Sequence, residues 1–357
     1  MSIDKKSTTI NIEYLDALRV LALFAMMLLH ISSSYMKFSS LGSITWVIAL
    51  MFNSSVRWCV PIFIMISGCL FLRKEKEVSV SIMLKKYVLH ILKVFSIWSA
   101  IYAIGNFIVS GQSFNYSSFK ELVITWVRGH YHLWFLYVIA GLYIIVPILK
   151  LITANRKICS YLLVIGIIFS SILPTVLNVI QGGVFVEEGM AGLNILFGKN
   201  GGFLVYFLMG FQVHSTQFKK NIRLGLYSLG VLGLVATFER TYHLSMTSGT
   251  LIQDFLSYPF LNCLLISCAI YVFVRQFVEK KGIGLKSKKI LRKLSINSFG
   301  MYLIHALVIA ILEKGGWMLI NIPSIIMIII TTAIVFIISF VIIEIMNKIH
   351  FVHSLLL

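Results

Sequence analysis

Residues 19–30 read RVLALFAMMLLH: an arginine and a histidine stand at the two ends of ten consecutive apolar residues. The run extends to about residue 36, long enough to cross a bilayer as one helix. Ionisable groups inside such a helix are expensive, and they mark function by default. At about 100° per residue, eleven residues are three turns plus roughly 20°, so Arg19 and His30 share one face. They lie about 16 Å apart along the axis. Asp16 precedes Arg19 by one turn and can pair with it. A single stripe therefore carries an anion-binding group at one depth and a proton-transfer group at another. The competing role for Asp16 and Arg19 is a structural ion pair near the interface.

The rest of the chain continues that pattern. Its 357 residues are 59% hydrophobic and only 12% charged, about half the charge of a soluble domain. The mean hydropathy is +0.92. The first apolar run is too long for a cleavable leader and is expected to be retained. Runs near 20 residues fall at about 12–36, 44–72, 87–109, 131–149, 158–180, 201–217, 224–244, 256–277, 297–313 and 318–347. The expectation is an all-α polytopic membrane protein of about ten transmembrane helices, forming a single domain over 1–357. The sixth and ninth runs are short. The longer polar connections lie at 110–130, 181–200 and 245–255.

The net charge of +18 does not indicate nucleic acid, because the cations cluster between apolar runs. With ten spans, 21 of the 31 Lys and Arg fall on one set of loops and 6 on the other. Arg19, Arg57, Lys93 and Arg275 remain within spans. The asymmetry predicts that both termini are cytoplasmic. The five cysteines lie in or at the start of helices without metal-ligand spacing, so neither a zinc site nor a disulfide framework is expected.

Three further groupings carry candidate chemistry. In KKYVLHILK (85–93), Lys86, His90 and Lys93 form an i, i+4, i+7 basic stripe that climbs from the cytoplasmic surface. It suits a phosphorylated cytoplasmic ligand, with snorkelling to headgroups as the competing role. In GHYHLWFLY (129–137), His132 lies at a depth where it can approach His30. Its spacing from His130 is poor for a helical metal pair. In SINSFGMYLIH (295–305), Ser298, Tyr302 and His305 make one polar stripe. Arg57 needs a partner, and Asn53 is one turn away.

Together these stretches resemble the acyltransferase family 3 membrane proteins, whose signature is an arginine, ten residues, then a histidine. YLDALRVLALFAMMLLH (14–30) is similar to that family's first helix, RWCVPIFIMISGCLFLRK (57–74) to its second, and HLWFLYVIAGLYIIVPIL (132–149) to its fourth. VYFLMGFQV (205–213) and SINSFGMYLIH (295–305) match later blocks. The likeness is to the surface-polysaccharide O-acyltransferase branch. It implies transfer of an acyl group, usually acetyl, from cytoplasmic acyl-CoA to a hydroxyl of a cell-envelope glycan. It also implies a multi-pass protein of the bacterial cytoplasmic membrane, with Arg19 and His30 as the residues carried over.

The residues fit that chemistry. Acyl-CoA, acetyl-CoA in the simplest case, is polyanionic, which matches Lys86, His90 and Lys93. Transfer to a hydroxyl needs a base of near-neutral pKa, most often histidine. A thioester is already activated, so no metal is expected. The working assignment makes His30, Arg19, Asp16 and His132 catalytic, places Lys86, His90, Lys93 and Arg19 at the donor, and keeps Arg57, Tyr302 and His305 as further candidates. The alternative is an exporter or flippase of a surface glycan or its lipid-linked precursor, since buried cations and proton carriers serve transporters equally well.

Overall fold

A computed structural model describes residues 13–111, 113–180, 202–317 and 324–349. The expected outer connection at 181–200, Lys5 and Lys6, and the start of the last apolar run lie outside these residues. The described chain is helical, with no strand among the described residues. The helices are α1 (Glu13–Phe38), α2 (Ile44–Ser55), α3 (Cys59–Leu72), α4 (Val80–Ser110), α5 (Tyr116–Arg128), α6 (Trp134–Ala154), α7 (Arg156–Ile180), α8 (Gly202–His214), α9 (Lys220–Ser248), α10 (Leu261–Lys281), α11 (Leu285–Lys314) and α12 (Ser324–Lys348). Among the described residues, nine segments are long and apolar enough to cross a membrane, counting α2 with α3 as one; α8 is a shorter apolar helix. The protein is thus a multi-pass membrane protein.

Four sequence expectations need correction. The second run is not one helix: it breaks at residues 56–58, where α2 ends and α3 begins. The ninth run is not short, because its basic lead-in continues the same helix back to Leu285, with charged ends reaching out of the apolar layer. The stretch 110–130 is not simply a polar connection, since it contains α5, capped by Asn115, whose side chain accepts from Ser118 N at 3.0 Å. Fourth, at α4, the helix starts seven residues before the expected position and includes a π-helical turn at Met83–Val88.

α1 and α11 run parallel through the centre. Near their starts, Arg19 donates to Ser295 Oγ at 2.8 Å. Further along, the rings of His30 and His305 are 5.2 Å apart. α12 returns antiparallel to α11, with Asn347 donating to Asn297 Oδ1 at 2.8 Å. The start of α1 and the end of α12 therefore share one end of the bundle. This end also holds the Lys288–Glu13 and Lys293–Glu344 ion pairs and is called the basic end below.

α8 has only 13 residues, about 20 Å of helix. It lies tightly along α3. A Cβ on Gly68 would stand 1.8 Å from Phe207 O, and one on Gly210 would stand 1.9 Å from Met65 O. Such backbone approach is the usual use of small residues between membrane helices. The free carbonyls at the end of α8 are met by Arg275 of α10, which donates to Val213 O (2.7 Å) and Thr216 O (2.9 Å), and to Glu279 (2.8 Å). Arg275, left inside a span by the sequence, is the cap of its neighbour.

Candidate active site at the break between α5 and α6

α5 does not lead outward. It turns back along α4: Ser99 Oγ donates to Trp126 O at 2.5 Å and Trp126 Nε1 to Ser96 O at 2.8 Å. Tyr137 OH donates to Val127 O at 2.6 Å. Gly129 ends the helix with φ +80°, a conformation that favours glycine, and α6 starts only at Trp134. The intervening backbone is level with His30 and His305, eight or nine residues short of the far ends of α1 and α11, or roughly 12–14 Å. Irregular backbone is tolerated at such a depth where it is buried in protein or lines a cavity.

That is its position here. A cavity of about 410 Å³ extends from the Arg19 level to the α5–α6 break. His30, His90, His132, Tyr302, Ser295 and Arg19 are among its polar lining. Its apolar walls come from α3, α6 and α11.

At its basic end, Asp16 is the hub. It is buried and lies 3.6 Å from Arg19. It accepts from Arg292 through both oxygens at 3.2 Å and from Ser295 Oγ at 2.5 Å. The pairing expected for Asp16 and Arg19 is present, with Arg292 and Ser295 added. Ser295 lay inside a quoted motif and Arg292 just before it, but their distance in sequence from Asp16 hid the connection.

At the other end, four histidines meet. His305 is fully buried, with its ring 5.2 Å from His30 and 5.0 Å from His132. His132 reaches the His30 neighbourhood with His305 packed against both. Nδ1 of His305 bonds the Tyr302 carbonyl at 2.6 Å. Tyr302 OH donates to His132 O at 2.7 Å, so the α11 stripe holds the break in place. His130 and His132 share a 3.0 Å Nδ1–Nδ1 hydrogen bond, and His130 stacks on Tyr102 at 4.2 Å. Tyr102, missed in the sequence, donates to Leu303 O at 2.8 Å and joins α4 to α11.

Arg57 bonds Asn53, as its spacing suggested, while its Nε has no partner among the described residues. Asn53 also donates to Leu29 O at 3.1 Å and Ser33 Oγ at 2.8 Å, fixing the backbone next to His30. Of the basic stripe, His90 alone lines the cavity; Lys86 and Lys93 are exposed outside it. Among the described residues no group of three or more His, Cys, Asp or Glu is disposed to hold a metal.

A family model described as an acyltransferase domain, acyltransferase 3, matches residues 12–344. No curated protein and no solved structure matches the chain.

Proposed function

This chain belongs to the acyltransferase 3 family, and from that premise we propose that it moves an acyl group, acetyl in the simplest case, from cytoplasmic acyl-CoA to a hydroxyl of a cell-envelope glycan. The whole chain acts as one acyltransferase domain in the bacterial cytoplasmic membrane. The observation that carries this reading is the single cavity on which Arg19 and His30 both open, separated by three helical turns. Arg19 and Asp16 order the donor near the basic end, which faces the cytoplasm. His90 lies on the donor's path. His30 is the general base: it accepts the proton of the acceptor hydroxyl as oxygen attacks the thioester carbon, then returns it to the departing CoA thiolate. Arg57, Tyr302 and His305 support the His30 side, and the glycan, free or lipid-linked, approaches there from the outer leaflet.

Replacing His30 with Ala tests the base. Detergent-purified protein of matched monodispersity should lose transfer by about 10²–10⁴-fold. Activity within a few-fold of the parent would remove His30 from that role. Mass spectrometry of envelope glycans with and without the gene should show a difference of one acyl group, 42 Da being about the mass that acetyl replacing hydrogen adds; no change in any glycan would overturn the acceptor assignment.

A further inference from the structure

His305 is fully buried on α11 and lies behind the cavity wall, while its ring neighbour His30, 5.2 Å away, lies on that wall. Nδ1 of His305 is 2.6 Å from the Tyr302 carbonyl, one turn back. A carbonyl oxygen only accepts, so Nδ1 carries the hydrogen. The rings packed on His305 are those of His30, His132 and Tyr302, and none is a carboxylate that could balance a second ring proton. The ring is therefore neutral, and Nε2 is a lone-pair acceptor. That atom is buried and accepts from no group among the described residues. A buried polar atom left unsatisfied is costly in a folded protein. Two of the three neighbours have their hydrogens committed elsewhere. Tyr302 OH donates to His132 O at 2.7 Å. His132 engages His130 through Nδ1 at 3.0 Å and has the Leu303 backbone as its other partner. His30 is the neighbour left to supply a hydrogen.

We infer that His305 is the positioning residue of the base, accepting a hydrogen from the His30 ring through Nε2. This rests on the reading of His30 as the base. At 5.2 Å between ring centres, two ring nitrogens that face each other stand roughly 3 Å apart, a hydrogen-bond distance. The rings are tilted by 32°, and a turn of His30 about its Cβ–Cγ bond aligns them; catalytic hydrogen bonds often tighten as substrate binds. With one nitrogen donating to His305, the other presents its lone pair to the cavity. The acceptor oxygen forms its bond to the thioester carbon as its proton passes to that lone pair. The carbon–sulfur bond then breaks, and the thiolate takes the proton from His30. No proton moves to His305, which holds the second ring hydrogen throughout. A carboxylate would orient His30 too, but only with a charge held in the apolar layer, which is expensive. A neutral imidazole, its tautomer locked by its own helix, orients the base without that charge.

Asparagine and glutamine separate the two nitrogens. His305→Asn can keep the hydrogen donated to Tyr302 O and removes the acceptor at the Nε2 position; His305→Gln places its amide oxygen near that position. In detergent-purified protein of matched monodispersity, His305→Asn should lower kcat by about 10²-fold with KM for acyl-CoA little changed, a smaller loss than the roughly 10⁴-fold seen when the charged partner of a histidine base is neutralised. His305→Gln should recover part of it. The loss should vanish in a His30→Ala background, because residues that act as a unit are not additive. A His305→Asn variant with the parent's kcat, or a loss of equal size with and without His30, would overturn the positioning role while leaving His30 as base. His30→Ala activity within a few-fold of the parent would overturn the base and this inference together. Nitrogen-15 NMR of the histidine-labelled full chain reads the tautomer without turnover, and decides also where His305→Asn does not fold. The signals lost in His305→Gln should be those of a protonated Nδ1 and an unprotonated Nε2. A protonated Nε2 on His305 would overturn the inference.

Discussion

Asp16 holds two guanidinium groups and a hydroxyl while it is itself buried. Asn at this position keeps the shape and removes the charge. Arg19 and Arg292 would then face each other uncompensated, and breaking a buried pair on one side typically costs about 3–5 kcal/mol. Arg292 is 47% exposed, so water shares that load and the penalty belongs at the lower end. Asp16→Asn is expected to lower the thermal midpoint in detergent and to reduce transfer at least tenfold; an unchanged midpoint would mean that Asp16 holds nothing. On the donor path, His90→Ala should raise the KM for acyl-CoA more than Lys86→Ala or Lys93→Ala, because His90 alone of the three lines the cavity. Steady-state kinetics on the three variants decides, and a larger effect at Lys93 would relocate the path. The helix-one pair was legible in the sequence because its spacing is local to one helix. Asp16–Arg292 and Tyr102–Leu303 were not, because each joins residues more than 200 positions apart. For the basic stripe, periodicity shows that residues share a face but does not say which of them meet a cavity; of the three, His90 does.

At the scale of helices, the crossing of α3 and α8 is fixed by two glycines that meet the opposite backbone. Gly210→Ala puts a methyl 1.9 Å from Met65 O, and a carbonyl cannot rotate away as a side chain can. Overpacking costs about 1–3 kcal/mol where side chains can adjust, and this site belongs above that range. Gly210→Ala should reduce the folded, monodisperse yield, whereas Gly141→Ala, with nothing within 4 Å, should leave it unchanged. Equal yields would show that the helices separate freely. Arg275→Leu should also destabilise, by about 1–3 kcal/mol for each buried carbonyl left without its donor; thermal melting against the parent measures it. Most spans were legible because apolar runs near 20 residues are a strong signal. The breaks at 56–58 and 129–133 were not. Both lie inside or beside apolar sequence, and tertiary contacts rather than polarity set them. Gly129 is the one local hint, and its φ of +80° becomes meaningful only with the fold in hand.

Across the whole molecule, parallel α1 and α11 and antiparallel α12 bring the start of α1 and the end of α12 to one end of the bundle. An even number of crossings between the termini requires this, and it agrees with ten crossings in which the short α8 takes part. The proposed orientation puts the basic end in the cytoplasm, because Lys286, Lys288, Lys289, Arg292 and Lys293 all sit at that end of α11. The side on which the proposed acyl-CoA donor enters goes with that orientation. All five cysteines are buried, so an impermeant thiol reagent meets little background in intact cells. A cysteine at Lys286 should stay unlabelled until the membrane is opened. A cysteine at Thr250, exposed beyond the far end of α9, should react at once. Reversed labelling would put Arg19 on the outer side and His30 nearer the cytoplasm. A cytoplasmic thioester would then meet the histidine cluster first, and the order of donor and acceptor along the cavity would have to be exchanged.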